Sequence, residues 1–152
     1  GLGFDINDNN NVLLGYGFID SRNRVMETNE ILKVNEHRIY QQFISKQAIG
    51  KIKIQHRYRF EQRFIEDDFK LRYRYFLSLN IPLLKTNKKY YISAYNEIFI
   101  NASQENTFDR NRIYGGLGYQ LNSNIKLELG YMNQIFNTSS RDQVNIICFF
   151  NI

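Results

Sequence analysis

Arginine and glutamate recur at two-residue spacing through the middle of this chain. Arg57, Arg59 and Glu61 fall in one stretch and Arg72 and Arg74 in the next, and Glu97, Arg112 and Glu128 follow in later ones. That spacing puts such residues on one face of an extended strand. Charges gathered there support two kinds of chemistry: lining a wet passage they select the ions that enter, and filling a narrow one they pair with each other and plug it. Both readings stay open. A hydrolase would need a serine beside a histidine base, and His37 and His56 accompany Ser45, Ser78 and Ser93. No spacing marks a nucleophile with its base, so the chain is not read as an enzyme, and an outer-membrane lipid hydrolase is only a residual alternative. With Cys148 as its one cysteine the chain forms no internal disulfide, and no Cys/His cluster implies a metal or other cofactor. Arginines interleaved with aromatics in RYRF (Arg57 to Phe60) and LRYRYF (Leu71 to Phe76) could stack bases. The net charge of +5 is modest and acids share the basic face, so nucleic acid is not an expected partner.

Strands must position these residues. From Lys51 to Ile65, polar Lys51, Lys53, Gln55, Arg57, Arg59, Glu61 and Arg63 alternate with Ile52, Ile54, Tyr58, Phe60 and Phe64. A period of two means β-strand. Further segments extend the pattern over Gly1 to Ile6, Val12 to Asp20, Glu36 to Lys46, Phe69 to Leu83, Lys89 to Asn101, Asn111 to Leu121, Asn124 to Phe136 and Gln143 to Ile152. About nine strands are therefore visible. Several far exceed the typical ~5–6 residues of a globular protein. At 152 residues the chain is one domain, residues 1–152. Its mean hydropathy is −0.48, and no run of ~18 apolar residues could form a transmembrane helix. A transmembrane β-barrel escapes that test, because its outward and inward residues alternate.

The expected fold is thus all-β, an antiparallel up-and-down transmembrane barrel with apolar and aromatic residues outside and charges inside. Acids among the bases suit charges that must pair in a confined interior. Turning the charged face to lipid would cost ~2–4 kcal/mol for each Lys or Arg at mid-membrane. A soluble lipocalin-like barrel, with Ile52, Ile54 and Tyr58 inside, is the alternative. Glycines 116, 118 and 130 fall on the inward face and leave room there for long side chains. His56 and Asn96 break the apolar face, which suggests a bulge or a lipid–water interface; adjacent Gln41 and Gln42 leave the facing of their strand undecided.

Turns alternate in length, as periplasmic and extracellular connections do. Asn7 to Asn11, Gln47 to Gly50, Leu84 to Lys88 and Leu121 to Asn124 are short; Ser21 to Asn35, Ala102 to Arg110 and Asn137 to Asp142 include the longest, although Glu66 to Asp68 is brief. Bacterial barrels carry even strand numbers, so nine segments suggest a chain cut from one of roughly 10–12 strands.

The runs EHRIYQQ (Glu36 to Gln42), HRYRFEQRF (His56 to Phe64), LRYRYFL (Leu71 to Leu77), AYNEIFIN (Ala94 to Asn101), FDRNRIYGGLGYQL (Phe108 to Leu121) and LELGYMNQ (Leu127 to Gln134) carry a resemblance over most of the chain. They resemble an uncharacterised domain-of-unknown-function family of small outer-membrane β-barrels from Gram-negative bacteria of the Bacteroidetes type. The resemblance implies an antiparallel barrel in the bacterial outer membrane with a secretory signal upstream, and no catalytic residues. Lipid and, during insertion, the barrel-assembly machinery are its expected partners. The apolar C-terminal face of Val144, Ile146, Cys148, Phe150 and Ile152 suits that machinery.

Overall fold

The structure is a computed structural model that describes residues 1–24, 31–84, 89–102 and 107–150. Nine strands follow one another: β1 (Leu2–Asn7), β2 (Asn10–Arg24), β3 (Ile31–Ile49), β4 (Ile52–Ile65), β5 (Asp68–Pro82), β6 (Tyr90–Asn101), β7 (Phe108–Gln120), β8 (Ile125–Ile135) and β9 (Ser140–Phe150). They pair in chain order, each antiparallel to the next, in one sheet. Tight turns make this cheap, since consecutive strands need only a hairpin between them. At the β3–β4 turn Gly50 takes φ +60°, a left-handed conformation open to glycine without cost. Glu66 takes φ 51° at the β4–β5 turn, where its carboxylate Oε1 accepts from the Asn35 amide at 2.6 Å.

Strict alternation sorts the side chains between two faces, and the sheet curls round the polar one. Buried residues include Glu61, Glu97, Arg72 and Glu128, all on that face, whereas Ile146 is 83% and Val144 76% exposed on the other. Curling brings Ala48 of β3 and Lys126 of β8 to the wall of one cavity. Among the described residues no pairing joins β1 to β9, so these two strands are the sheet's edges.

The ladder corrects several expectations. Much of the Ser21 to Asn35 connection is paired strand, with Asp20 opposite Asn35 and Arg24 opposite Ile31. Backbone hydrogen bonds do not require side-chain alternation, so pairing runs on where the pattern fades; the length asymmetry of the two sets of turns shrinks accordingly. Asp109 and Arg110, assigned to a loop, belong to β7. No register shift occurs at His56 or Asn96, and the irregularities lie instead between Asp5 and Asn7 and between Phe99 and Ile100. Both residues stay on the outer face and find partners there. His56 Nδ1 shares a hydrogen bond with the Tyr75 hydroxyl at 2.9 Å, and Asn96 Nδ2 donates to Asn111 Oδ1 at 2.8 Å. The facing of β3 is settled by Gln42, which lies opposite Arg59 and points inward.

Aromatic residues are not confined to the outside. Tyr40, Phe76, Tyr91, Tyr95, Phe99 and Tyr114 share cross-strand rows with the inward charges and glycines. Tyrosine rings lie across the glycines: a Cβ on Gly118 would overlap the Tyr91 ring, and one on Gly130 or Gly116 would overlap Tyr114. These glycines leave the expected room, and aromatic rings fill it.

Candidate functional site

Glu61, on β4, faces Arg72 directly across to β5, and Arg74 stands one row along. Its carboxylate is wholly buried. It accepts from Arg72 Nε at 2.8 Å and Nη2 at 2.6 Å, and from Arg74 Nη1 at 2.8 Å. Arg59 and Arg38 approach it at 3.7 and 3.8 Å. Arg74 also donates to Glu97 on β6, at 2.6 Å through Nη2, and so bridges the two carboxylates. Arg57 reaches Glu97 at 2.7 Å across the whole width of β5. Register explains the reach: Arg57, Phe76 and Glu97 form one cross-strand row, and the guanidinium lies 4.5 Å over the Phe76 ring on its way.

The network continues at both sides. Glu36 accepts from Arg63 Nη2 at 2.7 Å and pairs with Arg38 at 2.6 Å. Asp109 takes Arg72 and Arg110, each at 3.2 Å. Arg112 donates to Gln134 at 2.6 Å and stands 3.7 Å from Glu97. Phe99, 3% exposed, is overlaid by the guanidiniums of Arg74 at 4.5 Å and Arg112 at 4.9 Å. Desolvated cations gain from such ring faces.

Charge is not balanced here. Arg38, Arg57, Arg59, Arg63, Arg72, Arg74, Arg110 and Arg112 face Glu36, Glu61, Glu97 and Asp109, twice as many cations as carboxylates. Arg59 makes up part of the shortfall with a neutral acceptor, donating to Gln42 through Nε at 2.9 Å, and with the Tyr40 ring at 4.3 Å. What remains is a positive interior whose guanidiniums share the same few carboxylates in fixed geometry.

Of the residues the sequence singled out, Arg57, Arg59, Glu61, Arg72, Arg74, Glu97 and Arg112 come together. Glu128 does not. It faces inward but further along the strands, opposite Gly118, where it accepts from the Tyr114 hydroxyl at 3.3 Å. Sequence reading missed Glu36 and Arg38, whose facing the Gln41–Gln42 pair obscured, and it missed Asp109 and Arg110, hidden in an expected loop. Arg63 was placed on the correct face without its partner Glu36. The hydrolase residues do not assemble. Ser45 lies opposite His56 on the outer face, yet His56 is hydrogen-bonded to Tyr75 and the Ser45 hydroxyl makes no hydrogen bond among the described residues.

An antiparallel meander curled round a buried network of ion pairs defines the class: an all-β protein with an inverted distribution of charge and apolar surface. Residues 1–145 match the family model described as Protein of unknown function (DUF2490), and the chain belongs to that family. No curated protein and no solved structure matches it.

Proposed function

We propose that this chain is an outer-membrane β-barrel protein, of the kind made by Gram-negative bacteria of the Bacteroidetes type. It acts there as a structural barrel or narrow pore with an Arg/Glu-lined interior and carries no enzymatic activity. One observation supports the reading above all, the inversion of burial. Leu14, Leu117, Leu129, Ile146 and Phe150 are exposed while Glu61, Arg72 and Glu97 are buried, an arrangement that lipid outside and water inside would stabilise. Aromatic pairs on the outer face, among them Phe60 with Tyr73 and Tyr90 with Tyr119, suit an amphipathic boundary. Lipid is then the main partner, with the barrel-assembly machinery acting at the apolar face of β9. Because no open strand edge survives in hydrocarbon, the reading requires β1 and β9 to be paired in the membrane. The soluble lipocalin-like alternative needs Ile52, Ile54 and Tyr58 inside, and they stand on the face opposite Arg57 and Arg59.

Heat-modifiable mobility of the full-length protein, extracted in detergent from the outer-membrane fraction, tests the membrane. A faster band before boiling is the expected result; recovery in the detergent-free soluble fraction with no shift overturns it. Conductance in planar bilayers then separates plug from pore, the ion-pair network favouring the plug.

A further inference from the structure

Away from the arginine network, at the end of the sheet bearing the turns at Gly50 and 121–124, the interior opens into a cavity of about 270 Å³. Its wall includes Lys51, Lys53 and Lys126, with Asn80, Gln120 and Tyr91 between them, and no carboxylate. A second cavity of about 220 Å³ shares Asn80, Tyr91 and Lys126, and Glu128 lies on its side. Neither Lys53 nor Lys126 makes an ion pair among the described residues, in contrast to the engaged arginines above. Tyr91 supplies the independent sign of a ligand. The residue is 4% exposed and borders both cavities; its hydroxyl stands beside the Glu128 carboxylate but is the one buried side-chain polar atom among the described residues without a hydrogen bond of good geometry. Buried hydroxyls are normally satisfied, and an orphan one commonly marks a missing water, ion or ligand.

We propose that this cavity binds a small oxyanion, a phosphate or a group carrying one. Lys53 and Lys126 supply the charge, Asn80 and Gln120 the neutral donors, and Tyr91 a hydroxyl. Lysine suits phosphate as a point charge, and the larger cavity has no carboxylate in its wall, Glu128 lying on the side of the smaller one. The network above and the lysines here are both net positive, so the interior field draws anions to this end. The site rests on the curled polar face and stands whether or not lipid covers the outer one.

The test titrates inorganic phosphate into the folded full-length protein in zwitterionic detergent, followed calorimetrically, with wild type, the Lys53→Ala/Lys126→Ala double variant and Tyr91→Phe compared. Circular dichroism confirms that each variant is folded. Saturable binding weakened at least about tenfold in the double variant, a loss of about 1.4 kcal/mol, and several-fold in Tyr91→Phe supports the site. A flat phosphate titration together with binding of short-chain phosphatidylglycerol, lost in the double variant, also supports it and makes a lipid headgroup the source. No response to either ligand, or equal binding by wild type and the double variant, overturns it. Because the readout is binding by folded protein, failure here leaves the membrane reading untouched, and failure of gel mobility leaves this one untouched.

Discussion

Replacing Glu61 by glutamine removes the charge on which Arg72 and Arg74 converge while keeping the side chain's shape. The carboxylate is fully buried, and three of its hydrogen bonds to those two guanidiniums are 2.8 Å or shorter. Taking one partner out of a buried ion pair leaves an uncompensated charge and costs ~3–5 kcal/mol. Relief is scarce, because Glu97 and Asp109 are already engaged and cations outnumber carboxylates throughout the network. The loss should therefore fall in the upper part of that range, a large fraction of the ~5–15 kcal/mol that holds a typical domain. Urea unfolding from phosphatidylcholine vesicles, followed by loss of the fast-migrating unheated band, reads it directly. With a slope of roughly 2 kcal/mol/M, the midpoint should drop by about 2 M. Adding Arg72→Met to Glu61→Gln should recover part of the loss, since the stranded cation goes with its partner. A Glu61→Gln midpoint within about 0.3 M of wild type, with an unchanged slope, would refute the claim that this carboxylate holds the interior together.

Three other substitutions probe different parts of the structure. Arg59→Leu should cost only about 1–2 kcal/mol by the same unfolding assay, because Arg59 leans on neutral Gln42 and stands directly opposite the like-charged Arg74. Gly118→Ala should destabilise by about 1–3 kcal/mol, since its Cβ would overlap the Tyr91 ring; combining it with Tyr91→Ala should remove most of the steric part, and strict additivity would show that the ring does not lie there. Ile146→Arg, on the outer face, should lower the fraction inserted into vesicles by an amount worth ~2–4 kcal/mol, whereas a shift below about 0.5 kcal/mol would mark an ordinary wet surface.

The strands and the division into faces were legible because β-structure has a local signature: a period of two is written in adjacent residues and needs no partner to be read. All nine strands answer to segments visible in the sequence, and Arg57, Arg59, Glu61, Arg72 and Arg74 fell on the expected face for that reason. Boundaries fared worse where polarity is mixed, as at Ser21 and Asn35, since backbone pairing continues there without help from side chains. Interior aromatics such as Phe76 and Phe99 contradicted the simple rule of aromatic outside and charge inside: their spacing from Arg74 and Glu97 puts them on the charged face, and a guanidinium stacked on each ring uses apolar surface that residue type alone assigns to the other face.

Composition and spacing by themselves determined that this chain forms antiparallel strands with one charged and one apolar face. Tertiary structure alone decided which charges meet. Partnership across strands depends on register, and register sums every turn and bulge between the partners, so that Arg57 finds Glu97 beyond an intervening strand while Glu128, equally charged and equally inward, is left beside Tyr114. The same summation brings Lys53 and Lys126, far apart in the chain, to the wall of one cavity. No local pattern carries that information, because it exists only once the sheet has curled.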